Sequence, residues 1–218
     1  MKKADRRLTI NFDLDGVIYN FSSYIRAIAT QPEVRVMMEQ YGEPLPPGVP
    51  PMNNEWNMEE AFGISKRGFW YLFYRAVELG VFRNGQAFPD SVEAVDYCVR
   101  RGHRVRIVTS KTFGDPQISL MAQRDVLEWL HENTPWYHKV EIVFSSDKQG
   151  YLADVIIDDK PDLSWVQDRS LNLLVAQPWN AAFEGFDMAD IGLWVPGNSI
   201  FRVKIAEVTS AIQKLEAS

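Results

Sequence analysis

Five short runs rich in Val, Ile and Leu constrain this chain most: residues 8–12, 104–108, 140–144, 154–157 and 171–176. Each is bounded by polar or turn-forming residues and is too short for a helix, so each reads as a strand. Near-continuous apolar strands, without the in-out alternation of a half-exposed sheet, indicate a parallel sheet covered on both faces. Helical patterns lie between them. One at 91–101 places Val92, Val95, Cys98 and Val99 on a stripe and stops at Gly102. Another opens with Asp115-Pro116 as N-cap and first-turn proline, with an expected apolar stripe of Leu120, Met121, Leu127 and Leu130. A last helix is expected over 198–215. Strands alternating with helices predict a doubly wound, Rossmann-like α/β core.

The alternation breaks once. More than 80 residues separate the first two strands, where a plain crossover needs about a dozen. This stretch has helical patterns at 22–29, 33–41, 58–62 and 65–79, with a Pro-rich link at 44–51. Residues 1–18 and 89–218 are therefore expected to form the core, and 19–88 an inserted helical cap.

Composition narrows the function classes. A net charge of -6 argues against a nucleic acid polymer as partner and favours a small molecule. Cys98 is the only cysteine, which excludes an intramolecular disulfide and suits a reducing cytoplasm. The charged N-terminus and the aspartates that break the following apolar run predict neither a signal peptide nor a membrane span.

The chemistry gathers at strand ends, where open α/β sheets bind ligands. Asp13-Leu14-Asp15-Gly16-Val17 follows the first strand, and Gly16 permits a turn that aims both carboxylates at one place. Alone, such a pair also occurs in turns and calcium loops. Thr109-Ser110 ends the second strand and offers hydroxyls to a phosphate oxygen. Lys148 follows the third and offers a compact cation. Asp158-Asp159 ends the fourth with hard oxygen ligands suited to Mg²⁺. Each alone also reads as a turn former, a surface lysine or a helix cap; together, in this order, they point to a phosphoryl-transfer site. A phosphate monoester dianion repels a carboxylate nucleophile, and Mg²⁺ with Lys148 would offset that repulsion. Asp13 would attack and become an aspartyl-phosphate. Asp15 would protonate the leaving alkoxide and later deprotonate water, which calls for a raised pKa.

These residues resemble the four motifs of the haloacid dehalogenase (HAD) superfamily. Within it the chain is most similar to the 5′(3′)-deoxyribonucleotidases, compact bacterial and phage-type members included, through Asp13 to Val17 with Phe21, Pro89-x-x-Val92-Glu93-Ala94-Val95, Thr109-Ser110, Asp147-Lys148 and residues 153–162. The resemblance implies a Mg²⁺-dependent phosphatase acting on nucleoside monophosphates, and is compatible with a homodimer. It implies Mg²⁺ held by Asp13, the Asp15 backbone carbonyl and the Asp158-Asp159 pair, with Asp159 favoured as the direct ligand. It also implies phosphate contacts from Thr109 and Ser110, and Phe21 near the substrate. Two positions depart from the pattern: Lys111 stands where proline often follows Thr-Ser, and Ser146 where the mammalian enzymes carry arginine. Both put substrate preference in question.

A HAD phosphatase for another small metabolite and a non-catalytic HAD-fold binding protein remain as alternatives. Asp15 argues against a dehalogenase, and a phosphonatase would need a cap lysine such as Lys66. His103, His131 and His138 fall outside the motifs. Residues 56–82 hold eight aromatics: Trp56, Phe62, Phe69, Trp70, Tyr71, Phe73, Tyr74 and Phe82. On the helix at 65–79, Phe69, Leu72, Phe73 and Ala76 form one stripe and Trp70, Tyr74 and Val77 another. One stripe is expected in the cap core and the other over the cleft, with Phe21, Trp70 and Tyr74 as base-stacking candidates.

Overall fold

A computed structural model describes residues 7–48, 57–162, 164–186 and 200–217. Trp56 and part of the Pro-rich link lie outside these residues. Among the described residues there are six strands, β1 (Thr9–Phe12), β2 (Arg104–Thr109), β3 (Glu141–Phe144), β4 (Val155–Asp158), β5 (Leu171–Val175) and β6 (Ile200–Val203). The described α-helices are α1 (Phe21–Ala29), α2 (Pro32–Gln40), α3 (Met58–Phe62), α4 (Lys66–Glu78), α5 (Pro89–Arg100), α6 (Pro116–Asn133) and α7 (Val208–Ala217).

All six strands are parallel, in the order β3-β2-β1-β4-β5-β6. β4 and β5 are buried along their whole length, as their uninterrupted apolar sequences require. β1 lies in the middle, with Phe12 in register with Ile107 on one side and Ile157 on the other. The ends of β1, β2 and β4 therefore meet at one edge of the sheet, where strand order reverses and ligands bind.

Helix ends follow local chemistry. Asp115 Oδ1 accepts from the Gln117 and Ile118 amides at 2.7 and 3.3 Å, capping α6 ahead of Pro116. Ser65 caps α4 through the Gly68 amide at 3.1 Å. Gly102 takes a φ of 79°, the left-handed turn that ends α5 and feeds β2.

Helices α1–α4 fill the interval between β1 and α5. The chain leaves and re-enters the core along paired backbone: Phe88 N donates to the Ile18 carbonyl at 2.8 Å and Asn20 N to that of Gln86 at 2.9 Å. The Tyr19 hydroxyl donates to the Val81 carbonyl and accepts from Gly85 N, and its ring packs edge-on against Trp129 at 4.7 Å.

Two expectations need correction. The C-terminal helix does not begin near 198: residues 200–203 form β6, and the helix starts at Val208. A run as short as Ile200-Phe201-Arg202-Val203 fits either period, and pairing with β5 decides it. The buried stripe of α6 is Ile118, Ala122, Val126, Trp129 and Leu130, whereas Leu120 is 69% exposed. Bulky Trp129 and the small Ala122 set that face.

Candidate active site

The turn after β1 is built around Gly16, at a φ of 75°. A Cβ there would lie 1.9 Å from Asp159 Oδ2, so the two motif loops approach more closely than any side chain on residue 16 would permit. Gln177 Nε2 donates to the Gly16 carbonyl at 2.5 Å, and Asn180 Nδ2 to the Asp159 carbonyl at 2.9 Å. The segment after β5 thus holds both loops in place.

Asp13 is fixed from two directions. Its Oδ1 accepts from the Leu14 amide at 2.7 Å, and its Oδ2 faces Lys148 Nζ at 2.8 Å. Lys148 Nζ also donates to Asp158 Oδ2 at 2.6 Å. Burial works against the charge on Lys148, but Asp13 and Asp158 outweigh it and raise its pKa. A permanently charged ammonium therefore sits beside the nucleophile candidate.

Asp13, Asp158 and Asp159 bring carboxylate oxygens within 4.8 Å of one another. Burial, together with Asp13, pushes the Asp158 carboxyl up to about 6, and the same causes raise Asp159 well above the carboxylate range. Three crowded carboxylates with so little water fit a cation. The two aspartates differ in one respect. Both Asp158 oxygens are engaged, one by Lys148 Nζ and one by the Lys160 amide at 3.0 Å. Asp159 Oδ1 is sealed from solvent with no donor. A buried carboxylate oxygen left in this way is costly unless a cation completes it, which favours Asp159 as the direct ligand.

Asp15 bonds to an unexpected partner. Lys111, fully buried, donates through Nζ to Asp15 Oδ2 and, at 3.0 Å, to Thr109 Oγ1. It also stands 4.6 Å from the centre of the Phe82 ring. Burial raises the Asp15 pKa; Lys111 holds the rise back and Asp13 adds to it. The direction expected of an acid–base residue is present. Sequence reasoning saw Lys111 only as a departure from a motif, because its partner lies 96 residues away.

A cavity of about 700 Å³ opens over these groups. Asp13, Asp15, Thr109, Ser110, Lys148 and Asp159 line its floor, and Phe21, Phe69, Trp70, Phe73 and Phe113 its apolar wall. That volume is in the range of small-molecule sites. Both stripes of α4 contribute, Phe69 and Phe73 from one and Trp70, 39% exposed, from the other. Phe73 packs edge-on to Phe113 at 4.8 Å, and Phe21 stacks on Phe82 at 5.3 Å. Tyr74 does not reach the cavity; it borders a shallow groove with Tyr41, Lys66, Arg67, Trp70 and Tyr71. Lys66 borders the same groove. Phe113, Trp179 and Arg26 line the cavity without having been singled out in the sequence. His103 is structural, between the Leu8 amide at 3.3 Å and Glu216 at 2.8 Å.

Comparison with known proteins bears on the fold and the family. Among curated proteins, none matches the chain in sequence. A HAD-like family hydrolase from Streptococcus pneumoniae superposes with a TM-score of 0.54 at 16% identity, covering 95% of this chain and 99% of the other. A predicted phosphatase from Clostridium acetobutylicum gives 0.54 at 13% identity, with coverages of 94% and 98%. A HAD family hydrolase from Deinococcus radiodurans R1, solved with bound phosphate and sodium, gives 0.53 at 15% identity, covering 98% of each chain. These likenesses concern the fold. The family model for 5′ nucleotidase, deoxy (Pyrimidine), cytosolic type C protein matches residues 6–203, nearly the whole chain. On that match the chain belongs to this family of HAD-like nucleotidases and is a phosphoric monoester hydrolase.

Proposed function

We propose that the chain is a Mg²⁺-dependent phosphatase that hydrolyses nucleoside monophosphates through an aspartyl-phosphate on Asp13. The observation that carries this reading is the pairing of Asp13 with Lys148 at the floor of a cavity whose wall is aromatic. Asp13, the Asp15 carbonyl and Asp159 would hold Mg²⁺, with Asp158 beside them. When bound, the ion supplies positive charge against the phosphoryl oxygens.

The chain's own groups account for the rest. Lys148 stabilises charge on the phosphoryl oxygens and orients Asp13, while Thr109 and Ser110 offer hydroxyls to them. An Asp13 oxygen attacks phosphorus as the ester P–O bond breaks, and protonated Asp15 gives its proton to the departing oxygen. Asp15, now a carboxylate, takes a proton from the water that attacks the phosphoaspartate. Inorganic phosphate leaves and Asp13 is regenerated. Residues 19–88 act as a cap that closes this space against water, and Phe21, Trp70 and Phe73 give a flat base a surface to stack on. The single thiol accords with a cytoplasmic setting, and among the described residues no helix is long and apolar enough to cross a membrane.

The test is hydrolysis of an aryl phosphate with and without Mg²⁺, followed by nucleoside monophosphates against sugar phosphates. Turnover should stop with EDTA and in Asp13→Asn, and nucleotides should be the better substrates. Robust metal-free turnover would sink the mechanism. Preference for sugar phosphates would move the substrate class to another small metabolite.

A further inference from the structure

Two Lys or Arg residues are at least nine-tenths buried among the described residues: Lys111 and Arg26, the latter 7% exposed. Lys111 is neutralised by Asp15. Among the described residues Arg26 forms no ion pair; its Nε is sealed from solvent without an acceptor, and only desolvation acts on its pKa, lowering it. Its side chain lines the same cavity as the nucleophile. A guanidinium cannot escape the cost of burial by losing its proton, because its pKa is too high. Left uncompensated, such a charge is costly. Only Nε is sealed in this way, so the rest of the guanidinium, at the wall of a substrate cavity, is open to a counter-charge from the ligand.

Its position says which part of the ligand. Arg26 follows Phe21 on α1, about 7.5 Å further along the helix axis at 1.5 Å per residue. Only burial acts on its pKa, with no contribution from Asp13 or Asp15, so it lines the same cavity as Asp13, Thr109 and Lys148, which serve the reacting phosphate, without being paired to that cluster. The edge of a base could satisfy the nitrogen donors but would leave the charge in place. A phosphate or carboxylate does both, and meets the planar fork of a guanidinium in two parallel bonds.

We propose that Arg26 is a specificity residue that binds a second anionic group, a phosphate or carboxylate, carried by the substrate at the end remote from the reacting phosphate. On the proposed nucleotidase reading this makes a nucleoside bisphosphate, or another phosphate monoester with a distal acid, a better ligand than a plain monophosphate.

Binding is measured by calorimetry on Asp13→Asn protein in Mg²⁺, which keeps the ligand intact. The probes are a nucleoside 5′-monophosphate, the matching 3′,5′-bisphosphate, an alkyl monophosphate, and the same alkyl chain ending in phosphate or carboxylate. The doubly anionic member of each pair should bind about tenfold to a hundredfold tighter, the scale of one charge-assisted hydrogen-bonded contact. Arg26→Met should erase that advantage while leaving the monophosphates little changed, and Arg26→Lys should keep part of it. Because an apolar side chain replaces an unpaired buried charge, Arg26→Met should melt no lower than its parent. Equal binding of the two members of each pair overturns the proposal, as does an advantage that survives Arg26→Met. Loss of discrimination among the four bases in Arg26→Met, with no gain from a second acid, would assign the residue to a base edge and overturn it too. The alkyl pairs separate this outcome from failure of the nucleotide reading: if only the nucleosides fail to bind, the substrate class falls and the Arg26 assignment stands on the alkyl ligands.

Discussion

Removing the Lys111 ammonium tests the least expected contact in the site. Lys111→Met keeps the length and apolar bulk of the side chain but leaves Asp15 facing an apolar wall, and Thr109 Oγ1 loses its donor. Breaking a buried ion pair from one side costs about 3–5 kcal/mol. The Asp15 side chain is 31% exposed toward the cavity while that of Lys111 is 0%, so the lower end, about 3 kcal/mol, is expected. For a chain of this size each kcal/mol moves the melting temperature by about 2–4 °C, giving a fall of about 6–12 °C. Asp15→Asn with Lys111→Met removes both charges and should recover most of that loss, a coupling that a double-mutant cycle reads directly. The pH profile should move as well. Lys111 lowers the Asp15 pKa against the effect of burial, so its loss raises that pKa further. Asp15 then stays protonated to higher pH, and the basic limb of kcat for an alkyl phosphate shifts upward. Melting of Lys111→Met within about 2 °C of wild type, or an unmoved basic limb, would refute the reasoning.

Other outcomes follow from the geometry. Gly16→Ala places a methyl against Asp159 Oδ2 and should lower turnover roughly 100-fold or more, the scale of losing one electrostatic stabiliser, and abolish stabilisation by Mg²⁺ in a thermal melt. Trp70→Ala should cut kcat/KM for nucleotides about tenfold, as about 1.4 kcal/mol of stacking implies, whereas Tyr74→Ala should not discriminate nucleotides from sugar phosphates. Asp158, held up to about 6, and Asp159 bind protons more tightly folded than unfolded, so their stabilisation is present at low pH. The metal-free protein should therefore lose stability as pH rises from about 4 through about 6, and Mg²⁺ should restore it at neutral pH; a flat melting profile without metal would contradict this. Cys98, fully buried with its thiol pushed up to about 12 by burial and Glu216, should resist thiol reagents at pH 8 until the protein is unfolded.

Legibility in the sequence tracked the distance over which a residue's role is set. β1 to β5 were readable because burial on both faces writes a continuous apolar run into the local sequence. β6 was not, because a four-residue edge strand has no period of its own and acquires its identity from β5. Asp13, Thr109, Lys148 and Asp158 were legible because each lies at or just beyond a strand end, and strand ends are local features. Lys111 and Arg26 were opaque for the opposite reason. The first is defined by a contact to Asp15 beyond the neighbouring strand, the second by the lack of an ion-pair partner among the described residues, and neither is written in adjacent residues. Tyr74 shows the limit on a finer scale: stripe membership gives its face of the helix but not which groove that face borders.

The central position of β1 also sets the order in which the protein can assemble during synthesis. Leu8 meets His103 across 95 residues, and Thr9 meets Asp154 across 145. At about 5–20 residues per second, the strand that carries the nucleophile emerges about 5–20 s before its first neighbour exists. During that interval helices α1–α4 have contacts of short sequence separation to make with one another, and such contacts form fastest. The helical insert should therefore consolidate on the ribosome first, while β1 waits as an unpaired apolar strand. The catalytic centre, drawn from both ends of the growing chain, can come into being only after β4 has left the tunnel.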